Sequence, residues 1–516
     1  MEEKKSSTTT MNRRGFLSTG VAAVGSFMVI PSHVFAAGKL GRVAPSDRIR
    51  LLHIGCGYQG LSEVGALLKA PAIDIVGVAD PNRESYDYIG WGEYGLRDSL
   101  RRLIGEPAWK EGVKGIPGGR NVMKEVVDTY YRKNRPGYKG SVAAAEDYRE
   151  LLDTVKDVDA VKIMTPDHHH AYQAIDCLKR GKHIIMHKPL GNKMAEAMEV
   201  VDRAKASPLS THLLAYNAIG DGKDVDRIRK WIDVGAIGRL KEIHNWSNRP
   251  VWPQYPVIPA EKTPVPDGLN WDLWLGPAEM RDYHFEYTHC CFRGWYEFGA
   301  GAIADMGYYS LWPVFSALNL GSATSVSTRF SRVIGLKNGV PFTIVNDYSY
   351  PMAAAYRFEV PYNDGKIILQ WHDGGMKPQT PEGYAGDDLP IEGMMFVGDK
   401  GSIVGGFGGN NPQLIGESAS RFADIIGEAT VENPNDTLPD GTSRWLQTWI
   451  DGCRGKGKGA ASFENAKEVN ETFNLGSVSL MSNGKKLIYN PQSRTITNDE
   501  AANKLLARNV RKGWEI

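Results

Sequence analysis

Residues 48–55 read Arg-Ile-Arg-Leu-Leu-His-Ile-Gly, a short apolar run that stops at a glycine. The period then changes. Leu61, Val64, Leu67 and Leu68 recur at three- and four-residue spacing, which predicts a helix. A second apolar run at 73–79 ends at Asp80. After a gap the rhythm returns: 147–152 has helical character, 159–164 reads as a strand, 171–180 as a helix stopped by Gly181, and 183–186 as another strand. Strands alternating with helices predict an α/β domain on a parallel sheet. Residues 84–140 interrupt that alternation. They are rich in Gly, Tyr and Arg, contain a helical stretch at 121–133, and read as an insertion covering a binding site. Beyond residue 237 the period shortens to two, in runs at 344–350, 356–360 and 366–371 separated by Gly, Pro or Asn turns. Helices near 441–482 are expected to return onto the body of the protein.

The junction of the first strand and helix carries the clearest chemistry. Gly55-Cys56-Gly57-Tyr58-Gln59-Gly60 is a G-x-G-x-x-G loop, and Asp80 lies 20 residues beyond its last glycine. In that setting Gly55 permits a tight turn, Gly57 lets backbone approach a pyrophosphate, and Gly60 allows close helix–strand packing. The helix N-terminus offers N–H donors and a positive dipole end. Asp80 would accept hydrogen bonds from ribose hydroxyls and repel a 2′-phosphate, which favours NAD over NADP. Arg83 keeps NADP open, since a nearby Arg can accommodate that phosphate.

Composition narrows the partners. Basic and acidic residues number 61 and 60, so the chain offers no overall field for nucleic acid or an acidic membrane face. Thirteen Trp and 57 Gly lean towards sugar handling, because indole faces stack on pyranose C–H faces. The five cysteines form no Cys-x-x-Cys pair and read as free thiols. His168, His169 and His170 suggest a metal cluster, but consecutive side chains cannot converge on one ion, so no metal is expected. Residues 13–17, Arg-Arg-Gly-Phe-Leu, open an apolar stretch reaching Ile30, and Val34-Phe35-Ala36 then offers small residues at the −3 and −1 positions for cleavage after Ala36. The stretch is too short to span a membrane and reads as a twin-arginine export signal over residues 1–36, implying a periplasmic or otherwise exported protein.

The glycine loop, GVADPNRES, AEDYRELLD, VDAVKIMTPDHHHAYQAIDCLKRGKHIIMHKPLG and GAIADMGYY together resemble the Gfo/Idh/MocA oxidoreductase superfamily. Blocks such as NWSNRPVWPQ and LNWDLWLGPAEMRDYH resemble an exported bacterial subgroup of it. The resemblance implies an N-terminal Rossmann domain, here 47–190, and a C-terminal α+β domain, here 191–516, with a largely antiparallel open sheet. It also implies a homo-oligomer formed through that sheet. Besides the loop, Asp80 and Arg83, the implied cofactor contacts are Thr165, Pro166, Asp167, His168, His170, Lys188 and Asn217.

The family's Glu-Lys-Pro motif reads His187-Lys188-Pro189 here. Lys188 carries over, as a hydrogen-bond donor to the substrate oxygen or as a charge that lowers the hydroxyl's pKa. The glutamate does not. His187 either takes over part of its positioning or marks altered chemistry. Asp305 and Tyr309 occupy the second catalytic block, four residues apart on one helix face, with Tyr309 where many members carry His. An ammonium beside Tyr309 would lower its phenol's pKa and suit it to acid–base work; Tyr308 is the fallback. Arg249, Trp252, Tyr283, His284, Arg293, Trp295 and Tyr296 fall in a Trp-rich region suited to a carbohydrate. Three functions remain open: a sugar oxidoreductase that recycles a bound NAD, a redox-neutral NAD-dependent glycosidase, and a sugar-binding protein with a relict cofactor site.

Overall fold

The computed structural model describes residues 45–417 and 419–515. The expected export signal lies outside the described residues.

The first layer is a six-stranded parallel sheet in the order β3-β2-β1-β4-β5-β6. Its strands are β1 (Ile49–Ile54), β2 (Ile73–Ala79), β3 (Ala143–Ala145), β4 (Ala160–Ile163), β5 (His183–Met186) and β6 (Thr211–Leu213). Helix α1 (Tyr58–Lys69) links β1 to β2, and α2 (Gly95–Ile104) and α3 (Arg120–Asn134) belong to the insertion. Helices α4 (Tyr148–Thr154), α5 (Asp167–Lys179) and α6 (Met194–Ala206) complete the crossovers. Strands such as β4, buried at every position, are what two helix-covered faces require. The strand order reverses between β1 and β4, so a crevice opens at their carboxyl ends. The sheet runs past residue 190, where the sequence reading placed the domain boundary. α6 and β6 belong to the first domain because β6 pairs in parallel with β5 from Ile184↔Thr211 onward.

After α7 (Lys223–Asp233) the chain builds a nine-stranded sheet, β15-β14-β13-β7-β12-β11-β8-β16-β17, with the short helix α8 (Trp271–Leu275) in the connection from β7 to β8. Its long strands are β7 (Leu240–Trp246), β8 (Ser325–Phe330), β11 (Ala354–Tyr362), β12 (Gly365–His372) and β13 (Gly393–Gly398). Shorter ones are β14 (Ser402–Gly405), β15 (Gln413–Ile415), β16 (Leu487–Asn490) and β17 (Thr495–Ile496). The β7–β12 pair is parallel and the other pairings are antiparallel. In β11, Ala354, Tyr356, Phe358 and Val360 turn inward while Arg357 and Glu359 turn outward, the alternation of a sheet with one covered face. A separate hairpin, β9 (Ile334–Lys337) and β10 (Val340–Thr343), stands off this sheet.

The run at 344–350 is not a strand. The Asn346 side chain accepts from the Tyr348 and Ser349 N–H groups, and that local turn takes the donors a ladder would have used.

Two long helices cover the inner face. In α9 (Gly301–Leu318), Ser310 donates to Asn245 of β7 at 2.6 Å. In α11 (Lys467–Met481), Ser479 pairs with Thr328 of β8 at 3.1 Å. Helix α10 (Arg444–Cys453) closes the first sheet instead, with Trp449 Nε1 donating to the Ile184 carbonyl. One apolar core runs through both layers, joining Ile163, Ile184, Ile303, Trp312, Leu369 and Phe473.

Candidate active site

A cavity of about 440 Å³ runs from the glycine loop, across the carboxyl ends of β1, β2 and β4, to one face of α9. At the loop end Gly55 has φ +91°, and a Cβ there would stand 2.5 Å from the Met164 carbonyl oxygen. Helix α1 begins at Gly57 with no side-chain cap, leaving its first N–H groups free for an anion. Asp80 pins the loop: Oδ2 accepts from Cys56 N–H at 2.6 Å and Oδ1 from Asn82 N–H at 2.8 Å. A carboxylate has lone pairs to spare, so it can still accept from ribose hydroxyls. An uncapped helix start, a glycine cradle and a buried acceptor at this spacing fit an NAD cofactor.

Gly55, Gly57, Tyr58, Gln59, Asp80, Thr165, Pro166, Asp167, His170 and Lys188 all line the cavity. Cys56 and Gly60 act from behind it, in the loop's hydrogen bonding and packing. Three of the expected cofactor contacts are corrected. Arg83 points outward and pairs with exposed Asp267 at 3.1 Å, so it forms no wall for a 2′-phosphate. His168 is fully buried, with its ring nitrogens 3.3 and 3.1 Å from the Phe298 and Trp274 carbonyls. Asn217 lies on a short turn after β6, 3.1 Å from His212 Nε2. His169 likewise uses Nε2 on the Trp274 carbonyl, at 2.7 Å.

His187, Lys188, Asp305 and Tyr309 converge at the other end. Strand β5 delivers the first two, and one face of α9 delivers the second two. Lys188, 2% exposed, forms a tight ion pair with Asp305, whose Oδ1 also receives Arg293 Nε at 3.1 Å. Burial alone would raise the Asp305 pKa, but Lys188 and Arg293 overcome it and hold the carboxyl well below its usual range. Burial lowers Lys188, and Asp305 opposes that. Tyr308 is turned into the core and donates to Asn470, so Tyr309 is the tyrosine of the site.

The expected lowering of the Tyr309 phenol is also corrected. Burial pushes it up, with Asp305 and Glu63 adding to the effect. The Lys188 ammonium sits 5.1 Å from the ring centre and is compensated by Asp305. Tyr309 is therefore protonated at neutral pH, and its hydroxyl lies 3.3 Å from His187 Nε2. Burial lowers His187, which leaves that imidazole neutral.

Of the residues expected to contact substrate, Arg249, Trp252, Tyr283 and Arg293 line the cavity. Three expected substrate contacts do not. His284 caps a turn by accepting from Glu286 N–H; Trp295 is 1% exposed and stacks on Tyr255; Tyr296 packs edge-on against Tyr350. Their aromatic character serves the core.

Several wall residues escaped the sequence reading. Tyr88, from the insertion, lies against Gly57 and accepts from Asn82 Nδ2 at 3.1 Å. Trp91 stands at the rim, 5.7 Å from the Arg249 guanidinium. Cys290 lies beside Arg293. Trp514 reaches the cavity from the segment after α12 (Glu500–Lys504), under the Arg149 guanidinium at 4.4 Å and edge-on to His169.

Residues 125–212 match the family described as "Oxidoreductase family, NAD-binding Rossmann fold", and 222–331 match its "C-terminal alpha/beta domain". Among curated proteins the chain is similar to a glycosyl hydrolase family 109 protein of Shewanella baltica (strain OS185), 27% identical over 235 residues. That match spans 45% of this chain and 44% of the relative. A levoglucosan dehydrogenase of Pseudarthrobacter phenanthrenivorans is 34% identical over 121 residues, 22% of this chain and 30% of that protein. The chain thus matches less than half the length of either. Among solved structures, the WlbA dehydrogenase from Bordetella pertussis in complex with NADH and UDP-GlcNAcA aligns with 86% of this chain and 99% of its own. Its sequence identity is 14% and its TM-score 0.48. An NAD-binding protein from Listeria innocua gives the same coverage, 14% identity and a TM-score of 0.45. Both family models, the NAD-binding Rossmann fold and the C-terminal alpha/beta domain of the Gfo/Idh/MocA oxidoreductases, are thus matched in order along the chain, and the first matched segment carries Lys188 to the cavity that the dinucleotide loop lines.

Proposed function

We propose that this protein oxidises and reduces a hydroxyl of a sugar or sugar derivative, using an NAD that stays bound and is recycled in place. The observation that carries the reading is the catalytic end of the cavity, where Lys188, paired with an Asp305 that also holds Arg293, stands 5.1 Å from the Tyr309 ring centre. Bound NAD supplies the hydride acceptor and, in the return step, the donor. Lys188 orients the substrate oxygen and stabilises negative charge on it, and Tyr309 exchanges a proton with it. Trp252 Nε1 and Arg249 Nε are buried donors with no protein acceptor among the described residues, and both residues line the cavity. Sugar hydroxyls and ring oxygens are acceptors that would satisfy them. The levoglucosan dehydrogenase and glycosyl hydrolase names of the curated relatives agree with a carbohydrate.

A second reading is favoured by Asp167. Burial pushes this cavity carboxyl up to about 6, although Arg293 and Lys188 oppose it, while Asp305 in the same cavity is held low. Two carboxyls driven apart supply an acid/base that a simple hydride exchange does not need. Redox-neutral glycoside cleavage does need one. There, oxidation at C3 acidifies the C2 proton, elimination expels the aglycone, water adds and the hydride returns.

The test is to purify the protein without added cofactor, record its absorbance, and present free sugars and p-nitrophenyl glycosides. Reduction of bound nucleotide by free sugars supports the first reading. p-Nitrophenol release with no net NADH change supports the second. Absence of bound nucleotide, together with silence towards both panels, defeats both.

A further inference from the structure

Two titratable groups next to the site, one buried and one half-buried, play no part in the chemistry above. Lys162, in the middle of β4, is fully buried, and its ammonium lies 3.3 Å from Glu63 Oε2 on α1. Glu63 Oε1 accepts from Gln59 Nε2 at 2.7 Å and stands 3.5 Å from His187 Nε2. That same nitrogen is the one 3.3 Å from the Tyr309 hydroxyl. Lysine, carboxylate, imidazole and phenol therefore form one line, contributed by β4, α1, the end of β5 and α9. The line ends on a tyrosine that needs help, because a phenol protonated at neutral pH can accept a substrate proton only by releasing its own.

We propose that Glu63 supplies, from α1, the carboxylate that the His187-Lys188-Pro189 motif lacks, and that it acts through His187 as the positioning group for proton exchange at Tyr309. The proposal rests on the sugar-oxidation reading. In the oxidising direction the substrate's C–H electrons leave as hydride to the cofactor. The hydroxyl proton passes to the Tyr309 oxygen, and the phenol's proton passes to His187 Nε2. The resulting imidazolium faces the Glu63 carboxylate, whose own charge is balanced by Lys162. Reduction runs the same transfers backwards, so no proton is gained or lost over a closed cycle. Lys162 earns its burial in this arrangement by keeping Glu63 ionised: burial would raise that carboxyl, and Lys162 and His187 hold it well below its usual range. His187 is faced by Glu63 from α1, Tyr309 from α9, His170 from α5, Lys188 from its own segment and Arg293 from the 289–294 turn. Among these Glu63 is the group that favours the imidazolium, and Lys188 and Arg293 oppose it.

The test is Glu63→Gln in the NAD-loaded protein, read in two ways. The first needs no substrate: the ¹⁵N resonances of the His187 ring, assigned with His187→Gln, are followed through a pH titration. Removing the carboxylate should move that titration down by about one pH unit or more. The second follows turnover of whichever sugar or p-nitrophenyl glycoside the wild type accepts. kcat should fall about tenfold or more, KM should hold, and the acid limb of the kcat profile should move to lower pH. Because Glu63→Gln strands the Lys162 ammonium, the double variant Glu63→Gln/Lys162→Met is measured beside it and should give both shifts in a folded, NAD-binding protein. An unchanged His187 titration or an unchanged acid limb in the double variant overturns the proposal. Inactivity of the wild type on every sugar counts against the sugar reading, while the resonance titration still decides the fate of Glu63.

Discussion

At the scale of single residues, the site is a set of charges placed against their surroundings. Lys188 is the buried amine of the cavity wall beside Tyr309, and Asp305 keeps Arg293 as a partner without it. Lys188→Ala should therefore cost about 10²–10⁴-fold in turnover and leave nucleotide bound, checked by kinetics and by absorbance of the purified variant. Asp167 shows the cost of such tuning. Its pKa rises on folding to about 6, so the folded chain keeps a proton that the unfolded chain releases. The associated stability is complete below about pH 4 and is lost as pH climbs through about 6. Asp167→Asn should stabilise the protein by about 1–3 kcal/mol at pH 7.5, change little at pH 4, and abolish any glycoside cleavage. Thermal melts at the two pH values measure the first effect. A variant no more stable at pH 7.5 would show that the carboxyl is not held up as described.

At the scale of elements, the segment 505–515 is the least expected part of the site. It is clamped to both domains: Ala195 N–H donates to the Leu506 carbonyl, Arg508 Nε reaches Glu196 Oε1 at 2.5 Å, and Arg511 Nε donates to the Gly276 carbonyl at 2.9 Å. These anchors seat Trp514 in the cavity wall. Trp514→Ala should release NAD at least tenfold faster, measured by dilution of fluorescent NADH-loaded protein, with the melting temperature of the nucleotide-free form little altered. The β1–loop–α1–β2 unit was legible in the sequence because every determinant is local: two apolar runs, three glycines and Asp80 within 33 residues. Lys188, Asp305 and Tyr309 were legible through the family motifs around them. Trp514, Tyr88 and Glu63 were not: Trp514 comes from far along the chain, Tyr88 and Glu63 lie close to the glycine loop and Asp80 in sequence, and none carries a local pattern that shows what it faces. The run at 344–350 misled for the opposite reason: its apolar alternation is real, but Asn346 claims the backbone first. His284, Trp295 and Tyr296 have the residue types of a sugar platform, and composition does not distinguish a platform from a core.

At the scale of the molecule, two domains share one core and one cavity. If residues 1–36 act as the twin-arginine signal their sequence resembles, the protein should cross the membrane folded and already loaded. Replacing Arg13 and Arg14 by Lys should leave the protein in the cytoplasm with its nucleotide content unchanged, checked by fractionation and by extraction of the bound nucleotide. Export of the double-Lys variant at the wild-type level would remove the twin-arginine route. The position of Trp514 sets an order of events in protein synthesis. Every other described wall residue is translated before it, so the nucleotide-binding strands can fold on the ribosome and sample NAD while that wall is still missing. If Trp514 retains the cofactor as predicted above, lasting capture waits until the segment that carries it has left the ribosome. A fusion partner placed close behind that segment would therefore be expected to yield protein of normal fold and low cofactor occupancy.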